Sequence, residues 1–355
     1  MIDLGALHNA DAATLAEALE TVDADFERSL FQRADALRRS FTGEKVHLRG
    51  LVEISSLCDK NCLYCGIRHD NASAGRYRLT RDRIVECAWK AYRAGYASVV
   101  LQAGERTSPR FVEEVTRTVR EVKAIGSGAL GVTLSLGEQT RETYREWFEA
   151  GAHRYLLRIE SSNPDLFARI HPDDGHHAYE RRLRALEDLR DIGYQTGTGV
   201  MIGLPWQTTR DLAGDLLFIR QFDAPMVGMG PYIPHPDAPL AACGAPIPTE
   251  ERRLDLSLRM IALLRVMMPD INIAATTALE VLDPHGREKA LRCGANIVMP
   301  NITPSLERGS YNLYRGKESI SEGVDLGDEK IGYGEWGDSP HFTHRGEAKW
   351  PESNS

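Results

Sequence analysis

The sequence predicts an α/β protein, a (β/α)8 TIM-type barrel with an N-terminal helical extension. Between residues 48 and 299, eight short apolar segments alternate with longer amphipathic segments, which is the pattern of repeated βα units. A doubly wound open sheet is the alternative, but it normally carries a glycine-rich phosphate loop after its first strand, where this chain has three cysteines. Glycines that can end a helix follow the amphipathic segments, at Gly95, Gly126, Gly151, Gly193 and Gly294.

Each element is predicted from its apolar spacing and its flanking residues. The predicted strands are Leu48–Ile54, Ser98–Ala103, Gly131–Leu136, Arg154–Ile159, Thr196–Met201, Met226–Gly230, Asn272–Ala275 and Ala295–Met299. The predicted barrel helices are Thr80–Ala94, Pro109–Ala124, Arg141–Glu149, Ala178–Ile192, Thr209–Phe222 and Thr249–Met268. Helices Ala13–Leu19 and Ala24–Leu37 form a predicted extension over residues 1–43, and the barrel follows over 44–318. Residues 319–355 are expected to wrap the surface or to be partly disordered.

The composition narrows the class of protein. Of 355 residues, 42% are hydrophobic and 26% are charged, as in a globular protein with a core. The net charge of −8 argues against binding nucleic acid or an anionic membrane through bulk charge. No apolar segment approaches the ~20 residues of a membrane-spanning helix, and no secretory signal is visible. We therefore expect a cytoplasmic protein whose six cysteines are reduced.

Three of those cysteines form a ligand set directly after the first strand. Cys58, Cys62 and Cys65 have the spacing C-x3-C-x2-C. Three thiolates on one short loop can bind three irons of a 4Fe-4S cluster and leave the fourth iron open for chemistry. Zinc is the alternative, because His69 completes a Cys3His set. The loop position favours the cluster, since active sites of barrels lie at the carboxyl ends of the strands.

The fourth predicted strand places charged side chains inside the predicted barrel. Arg154, Arg158 and Glu160 share one face of this strand at period two. Buried guanidinium groups need anions or carboxylates as partners. This pattern predicts either an internal Arg–Glu pair that stabilises the barrel or a binding site for a charged ligand, with Arg154 deeper than Arg158.

The cysteine motif, with an aromatic residue before its last cysteine, resembles that of the radical S-adenosyl-L-methionine (SAM) superfamily. The resemblance implies a reduced cluster that cleaves SAM to methionine and a 5′-deoxyadenosyl radical. It also implies that Glu105 receives the amino group of SAM and Arg182 its carboxylate, that Glu160 holds the ribose and that Tyr64 lies near the adenine. The implied cofactor-binding residues are Tyr64, Gln102, Gly104, Glu105, Ser135, Glu160, Arg182, Met201 and Leu204.

Longer stretches resemble one family within that superfamily, the FeFe-hydrogenase maturase HydE family. The resemblance covers roughly residues 40 to 317. It implies that the adenosyl radical attacks the sulfur of an iron–carbon monoxide–cyanide–cysteine precursor during assembly of the hydrogenase di-iron centre. The stretches that carry it are His47–Glu53, Asn61–Gly66, Leu134–Glu138, Tyr155–Arg158, Pro231–Pro239, Ala274–Thr277 and Arg292–Asn301.

The same resemblance implies a substrate cavity and partners. Arg158, Thr276, Thr277 and Tyr311 are the predicted catalytic residues, and they suit an anionic complex. The implied partners are a ferredoxin or flavodoxin as electron donor and the maturases HydG and HydF. No nucleic acid or membrane partner is expected.

Two departures from the family pattern leave the substrate open. Strand four reads Arg158-Ile159-Glu160-Ser161 where typical members have Arg-His-Glu-Thr, and no cysteine triad follows Cys293. A methylornithine synthase acting on lysine is therefore an alternative with a small amino-acid substrate. Biotin synthase would need an auxiliary cluster that the scattered cysteines support poorly. A non-catalytic protein binding zinc or an iron–sulfur cluster is the alternative from a different class.

Overall fold

A computed structural model shows eight parallel strands closed into a barrel. The structure describes residues 2–317, 329–332, 335 and 337–343. Neighbouring strands pair in chain order, and the first strand closes the ring by pairing with the eighth, His47 opposite Ile297. The barrel strands are β1 (Lys45–Ser55), β2 (Ser98–Ala103), β3 (Gly131–Ser135), β4 (Arg154–Leu156), β5 (Gln195–Thr198), β6 (Met226–Val227), β7 (Asn272–Ala275) and β8 (Ile297–Val298).

Helices surround the barrel and cover its outer, apolar surface. The extension packs on it from one side, with helix Ala12–Glu20 against Thr209–Phe222 and helix Ala24–Thr42 against Glu250–Met267. The α-helices are α1 (Ala12–Glu20), α2 (Ala24–Thr42), α3 (Arg81–Arg93), α4 (Pro109–Ala124), α5 (Arg141–Glu149), α6 (Pro164–Arg169), α7 (Tyr179–Ile192), α8 (Thr209–Phe222), α9 (Glu250–Met267), α10 (Thr277–Leu282), α11 (Gly286–Arg292), α12 (Ser305–Arg308) and α13 (Pro340–Thr343). Short 3-10 helices occur at Leu7–Asn9, Ile125–Gly128 and Pro239–Ala242.

The prediction of a (β/α)8 barrel is confirmed, and the largest differences lie in strand length. Strand β4 ends at Leu156 although the apolar pattern predicts a strand to Ile159. The ladder is interrupted before Glu160, where Ile159 N donates to the side-chain Oγ1 of Thr198 at 3.2 Å instead of to a backbone carbonyl. Pairing resumes at Glu160, which has a left-handed backbone conformation with φ of 67° and forms a single bridge with Val200. A short ladder of Met201–Ile202 with Gly230–Pro231 follows.

The amino end of the barrel is closed by the C-terminal segment. Asp338 accepts hydrogen bonds from Arg154 Nε and Nη2 at 3.0 and 2.7 Å. The carbonyl oxygen of Gly337 accepts from Arg49 Nη2 at 3.1 Å and from Asn272 Nδ2 at 2.8 Å. This segment therefore supplies a carboxylate and a carbonyl to two guanidinium groups that are almost fully buried.

Further contacts hold the described parts of the tail in place. Lys330–Ile331 pairs in parallel with the start of β1, and His341 lies between the carboxylates of Asp223 and Asp270. The predicted tail spans 319–355, of which 319–328, 333–334, 336 and 344–355 lie outside the described residues. In the described part of the chain, no helix has the length and apolar character needed to cross a membrane.

Candidate active site

A cavity of about 300 Å³ opens at the carboxyl ends of the barrel strands. Pockets of this size bind small molecules. All but one of the predicted site residues line it, so the fold brings together residues from positions 58 to 311. The lining residues among them are Cys58, Cys62, Tyr64, Cys65, Gln102, Gly104, Glu105, Ser135, Arg158, Glu160, Arg182, Met201, Thr276, Thr277 and Tyr311.

The cysteine loop is held against the barrel by backbone hydrogen bonds. Asp59 N donates to the carbonyl of Glu105 at 2.8 Å, and Leu63 N donates to that of Ile170 at 3.1 Å. Each of the three cysteines is partly exposed to the cavity. Burial raises the pKa of all three thiols, that of Cys62 to about 12, so thiolates here need a positively charged partner.

His69, the fourth ligand of the zinc alternative, does not join the cysteines. Its side chain is 64% exposed, and its Nδ1 lies 2.8 Å from the carboxylate of Asp70. The loop thus offers three thiols to the cavity and turns the imidazole to solvent, an arrangement that fits a cluster with one open iron.

A buried ion-pair network lies beside the cysteines. Glu138 accepts from Arg182 Nε at 2.6 Å and from Lys60 Nζ at 3.0 Å. Glu105 lies 3.5 Å from Lys60 Nζ and accepts from the backbone N of Glu138 at 2.7 Å. Burial and the charge of Glu138 raise the pKa of Glu105. Burial also opposes ionisation of Glu138, but Arg182 and Lys60 outweigh it and hold the pKa of that carboxyl below its usual value.

Two glycines give Glu105 its place. A Cβ on Gly104 would lie 2.4 Å from the carbonyl oxygen of Leu57, so only glycine lets β2 approach the cysteine loop this closely. Gly137 has φ of 75°, and a Cβ there would lie 2.4 Å from the Glu105 carboxylate. Packing thus requires glycine at positions 104 and 137, and the carboxylate of Glu105 lies at the cavity wall.

Arg158 and Glu160 form the wall that follows β4. The Arg158 Nη2 atom donates to the carbonyl of Val200 at 2.7 Å and lies 3.1 Å from Glu160 Oε2. Oε2 is buried and accepts no hydrogen bond from any described residue. An acceptor of this kind fits a ligand that donates hydroxyl groups, such as a ribose.

The part of the cavity wall that follows β7 and β8 carries hydroxyl groups. Thr277 Oγ1 and the hydroxyl of Tyr314 are hydrogen bonded at 2.7 Å, and Thr276 Oγ1 donates to the carbonyl of Met229 at 3.3 Å. Lys317 Nζ lies 5.0 Å from the centre of the Tyr311 ring and forms a buried ion pair with Glu53. Burial raises the pKa of Tyr311 and of Tyr314, so both phenols remain protonated.

Leu204 is the predicted site residue that is absent from the described cavity lining. It is 1% exposed and packs in a small apolar cluster with Leu166, Ile170 and Met201. Tyr64 packs against the same cluster, and its hydroxyl lies 3.4 Å from His171 Nε2. Leu204 therefore supports the cavity wall from behind.

The structure adds residues that the sequence did not single out as site residues: Lys60, Glu138, Lys317 and, behind Lys317, Glu53. Lys60 stands inside the cysteine motif and Glu138 follows β3, so their positions were a usable signal. Lys317 follows the last strand in a segment without periodicity, where no local pattern marks a site.

The departure on strand four does not alter the cavity wall. Ile159 is 0% exposed and belongs to the hydrophobic core between barrel and helices, while its neighbours Arg158 and Glu160 line the cavity. The side chain of Ile159 therefore points away from the cavity that its two neighbours line.

Comparisons with known proteins show which families this chain resembles. The model of the radical SAM superfamily matches residues 52–219. The chain is 49% identical over 311 residues to the [FeFe] hydrogenase maturase subunit HydE of Thermotoga maritima, covering 87% of this chain and 85% of that protein. It is 27% identical to 3-methylornithine synthase of Methanosarcina acetivorans, covering 78% of this chain and 75% of that protein.

Solved structures show the same fold at low sequence identity. A crystal structure of the maturase HydG superposes with a TM-score of 0.74 at 18% identity, covering 87% of this chain and 70% of that one. A crystal structure of methylornithine synthase superposes with a TM-score of 0.71 at 23% identity, covering 84% of this chain and 85% of that one.

Proposed function

We propose that this chain, which belongs to the HydE family of radical SAM enzymes, acts in maturation of the FeFe-hydrogenase active site. One observation supports this most: three cysteines, a carboxylate–guanidinium network and a wall of hydroxyl groups line a single cavity at the carboxyl end of the barrel. The similarity to HydE extends over most of both chains. The enzyme takes a 4Fe-4S cluster and SAM as its cofactors, as its family does.

Each part of the cofactor has a chemical counterpart in the cavity. Cys58, Cys62 and Cys65 would hold the cluster, which when reduced supplies the electron that cleaves SAM to methionine and a 5′-deoxyadenosyl radical. Glu105 offers a carboxylate to the ammonium group of SAM, and Arg182 a guanidinium to its carboxylate.

The ribose and the adenine have counterparts on the wall that follows β4 and β5. Glu160 offers a buried acceptor to the ribose hydroxyls. Tyr64 and Met201 provide apolar surface for the adenine, with Leu204 behind them.

The substrate side of the cavity suits a small anionic complex. The side chain of Arg158 is 31% exposed and contributes a guanidinium group. Hydroxyl groups come from Thr276, Thr277 and Tyr311. Such groups can orient an iron complex bearing carbon monoxide, cyanide and cysteine, with its sulfur toward the SAM site. We infer that HydG supplies this substrate, that the product passes to HydF, and that a cytoplasmic ferredoxin or flavodoxin reduces the cluster.

Anaerobic reconstitution tests the proposal. The reconstituted chain is expected to bind about four irons and to change its EPR signal when SAM is added. It should form 5′-deoxyadenosine faster with the iron–cysteine complex than with L-lysine. Faster turnover with lysine would favour a methylornithine synthase, and one bound zinc without iron would rule out a radical SAM enzyme.

A further inference from the structure

Helix α8 holds the turn after β4 from outside the cavity. Ser162 donates two hydrogen bonds to Oδ1 of Asp215, one from its backbone N and one from its Oγ, each at 2.6 Å. Asp215 lies in the second turn of α8 and is 0% exposed. The next residue of the turn, Asn163, donates from Nδ2 to Asp211 Oδ1 at 2.7 Å.

Asp215 is an unfavourable residue to bury. A carboxylate removed from water loses its hydration, and burial raises the pKa of Asp215 to about 7. Its second oxygen, Oδ2, accepts no hydrogen bond within the described part of the chain. Asp211 also caps α8 through Thr208, whereas the hydrogen bonds described for Asp215 all come from Ser162. Asp215 therefore stabilises the turn at Ser162 that follows β4, whereas Asp211 also caps α8.

Glu160 needs such an anchor. Its φ of 67° lies in the left-handed region, which residues with a Cβ rarely adopt. A conformation of this kind persists only where the surroundings impose it. The strand side supplies two constraints, since Glu160 N donates to Gly199 O and Met201 N donates to Glu160 O, each at 3.0 Å. The bonds from Ser162 to Asp215 constrain the chain two residues further on.

We propose that Asp215 is a positioning residue, which through Ser162 keeps Glu160 in the left-handed conformation that places its carboxylate at the cavity wall. This inference rests on the proposed function, in which Glu160 accepts hydrogen bonds from the hydroxyl groups of SAM. Because both donors of Ser162 meet the same oxygen, an asparagine at 215 can keep the contact with its carbonyl oxygen. A leucine of similar size removes the acceptor.

The test compares Asp215→Leu with Asp215→Asn in the reconstituted enzyme. Asp215→Leu is expected to weaken SAM binding about tenfold, which is the effect of losing one hydrogen bond from SAM to the charged carboxylate of Glu160. Asp215→Asn should change SAM binding by no more than about threefold. The KM for SAM should rise more than kcat falls. Iron content should stay unchanged in both variants, because the hydrogen bonds described for Asp215 come from Ser162 and not from the cysteine loop.

Two further measurements separate positioning from general stability. Leu216→Ala, a fully buried change on the same helix, is the matched control and should leave SAM affinity within about threefold. In combination with Glu160→Gln, Asp215→Leu should cause no further loss of affinity, because coupled residues are not additive. Additive losses, or an equal effect of Leu216→Ala, would overturn the proposal.

Hydrogen exchange distinguishes failure of this inference from failure of the proposed function. In the chain without cluster or SAM, the Ser162 amide should exchange faster in Asp215→Leu than in Asp215→Asn. Unchanged exchange would refute the contact even if the enzyme binds SAM. If Asp215→Leu does not fold, Ser162→Ala removes one donor, and SAM binding should weaken about threefold; unaltered binding would refute the proposal.

Discussion

The two ends of the barrel use the same kind of buried charge for different purposes. Arg154 and Arg158 stand four residues apart after the same helix, yet the side chain of Arg154 is 0% exposed and that of Arg158 is 31% exposed. At the amino end the chain itself provides the anion, Asp338. At the carboxyl end Arg158 and Glu160 face a cavity. A buried arginine therefore indicates function only where the chain leaves room beside it for a ligand.

The largest expected effect is at the carboxyl end. Cys62→Ser should abolish formation of 5′-deoxyadenosine, because a serine oxygen is a poor ligand for an iron of the cluster. Iron analysis after reconstitution and product analysis by chromatography measure the loss. Cys243→Ser, a change at an exposed cysteine, is the control and should retain full activity. A Cys62→Ser variant with undiminished iron and activity would contradict the ligand assignment.

At the amino end of the barrel, a substitution is expected to lower the free energy of unfolding and to leave SAM binding unchanged. Asp338→Ala leaves the buried Arg154 guanidinium without this carboxylate, and we expect a loss of about 3 kcal/mol in the free energy of unfolding. This value is at the lower end of the usual range, because the side chain of Asp338 is 28% exposed. Urea unfolding of the apoprotein measures it. Adding Arg154→Met should restore part of the loss, and SAM affinity should not change in the single variant.

The pH dependence of the unfolding free energy tests the same ion pair between Asp338 and Arg154. Burial opposes ionisation of Asp338, but His153 and Arg154 outweigh it and hold the pKa of that carboxyl well below its usual value. A lowered pKa in the folded state means that the stabilisation is complete above the unfolded-state pKa of about 3.9 and is lost as the pH falls below it. The difference in unfolding free energy between wild type and Asp338→Ala should be constant from neutral pH to about pH 5 and shrink at lower pH. A difference that persists at low pH would contradict this.

The smallest expected effect belongs to Glu160→Gln. The amide keeps the shape of the side chain and loses the charge, so SAM binding should weaken about tenfold. The free energy of unfolding should stay within about 0.5 kcal/mol, because the carboxylate faces the cavity. Equilibrium binding and urea unfolding of one preparation measure both. A loss of stability without a loss of SAM affinity would place Glu160 with the structural charges of the amino end.

Local patterns in the sequence determine much of the fold and the location of the site. The alternation of apolar strands and amphipathic helices predicts the barrel, since each βα unit has its own period and its own helix ends. The three cysteines predict a cluster loop at the carboxyl end of β1, and the resemblance to the HydE family implies the residues of the cavity. Each of these signals arises from residues that lie close together in the sequence.

Only the tertiary structure decides which charges meet. Glu53 pairs with Lys317, Arg154 with Asp338 and Lys60 with Glu138, and such pairs join residues far apart in the chain, for which no period exists. The left-handed conformation of Glu160 also depends on distant contacts, from Gly199 and from Asp215 through Ser162. The sequence by itself thus determines the barrel and its reactive loop. The tertiary structure decides which buried charges are matched by the chain and which face the cavity, because electrostatic pairing depends on distance in space and not on spacing in sequence.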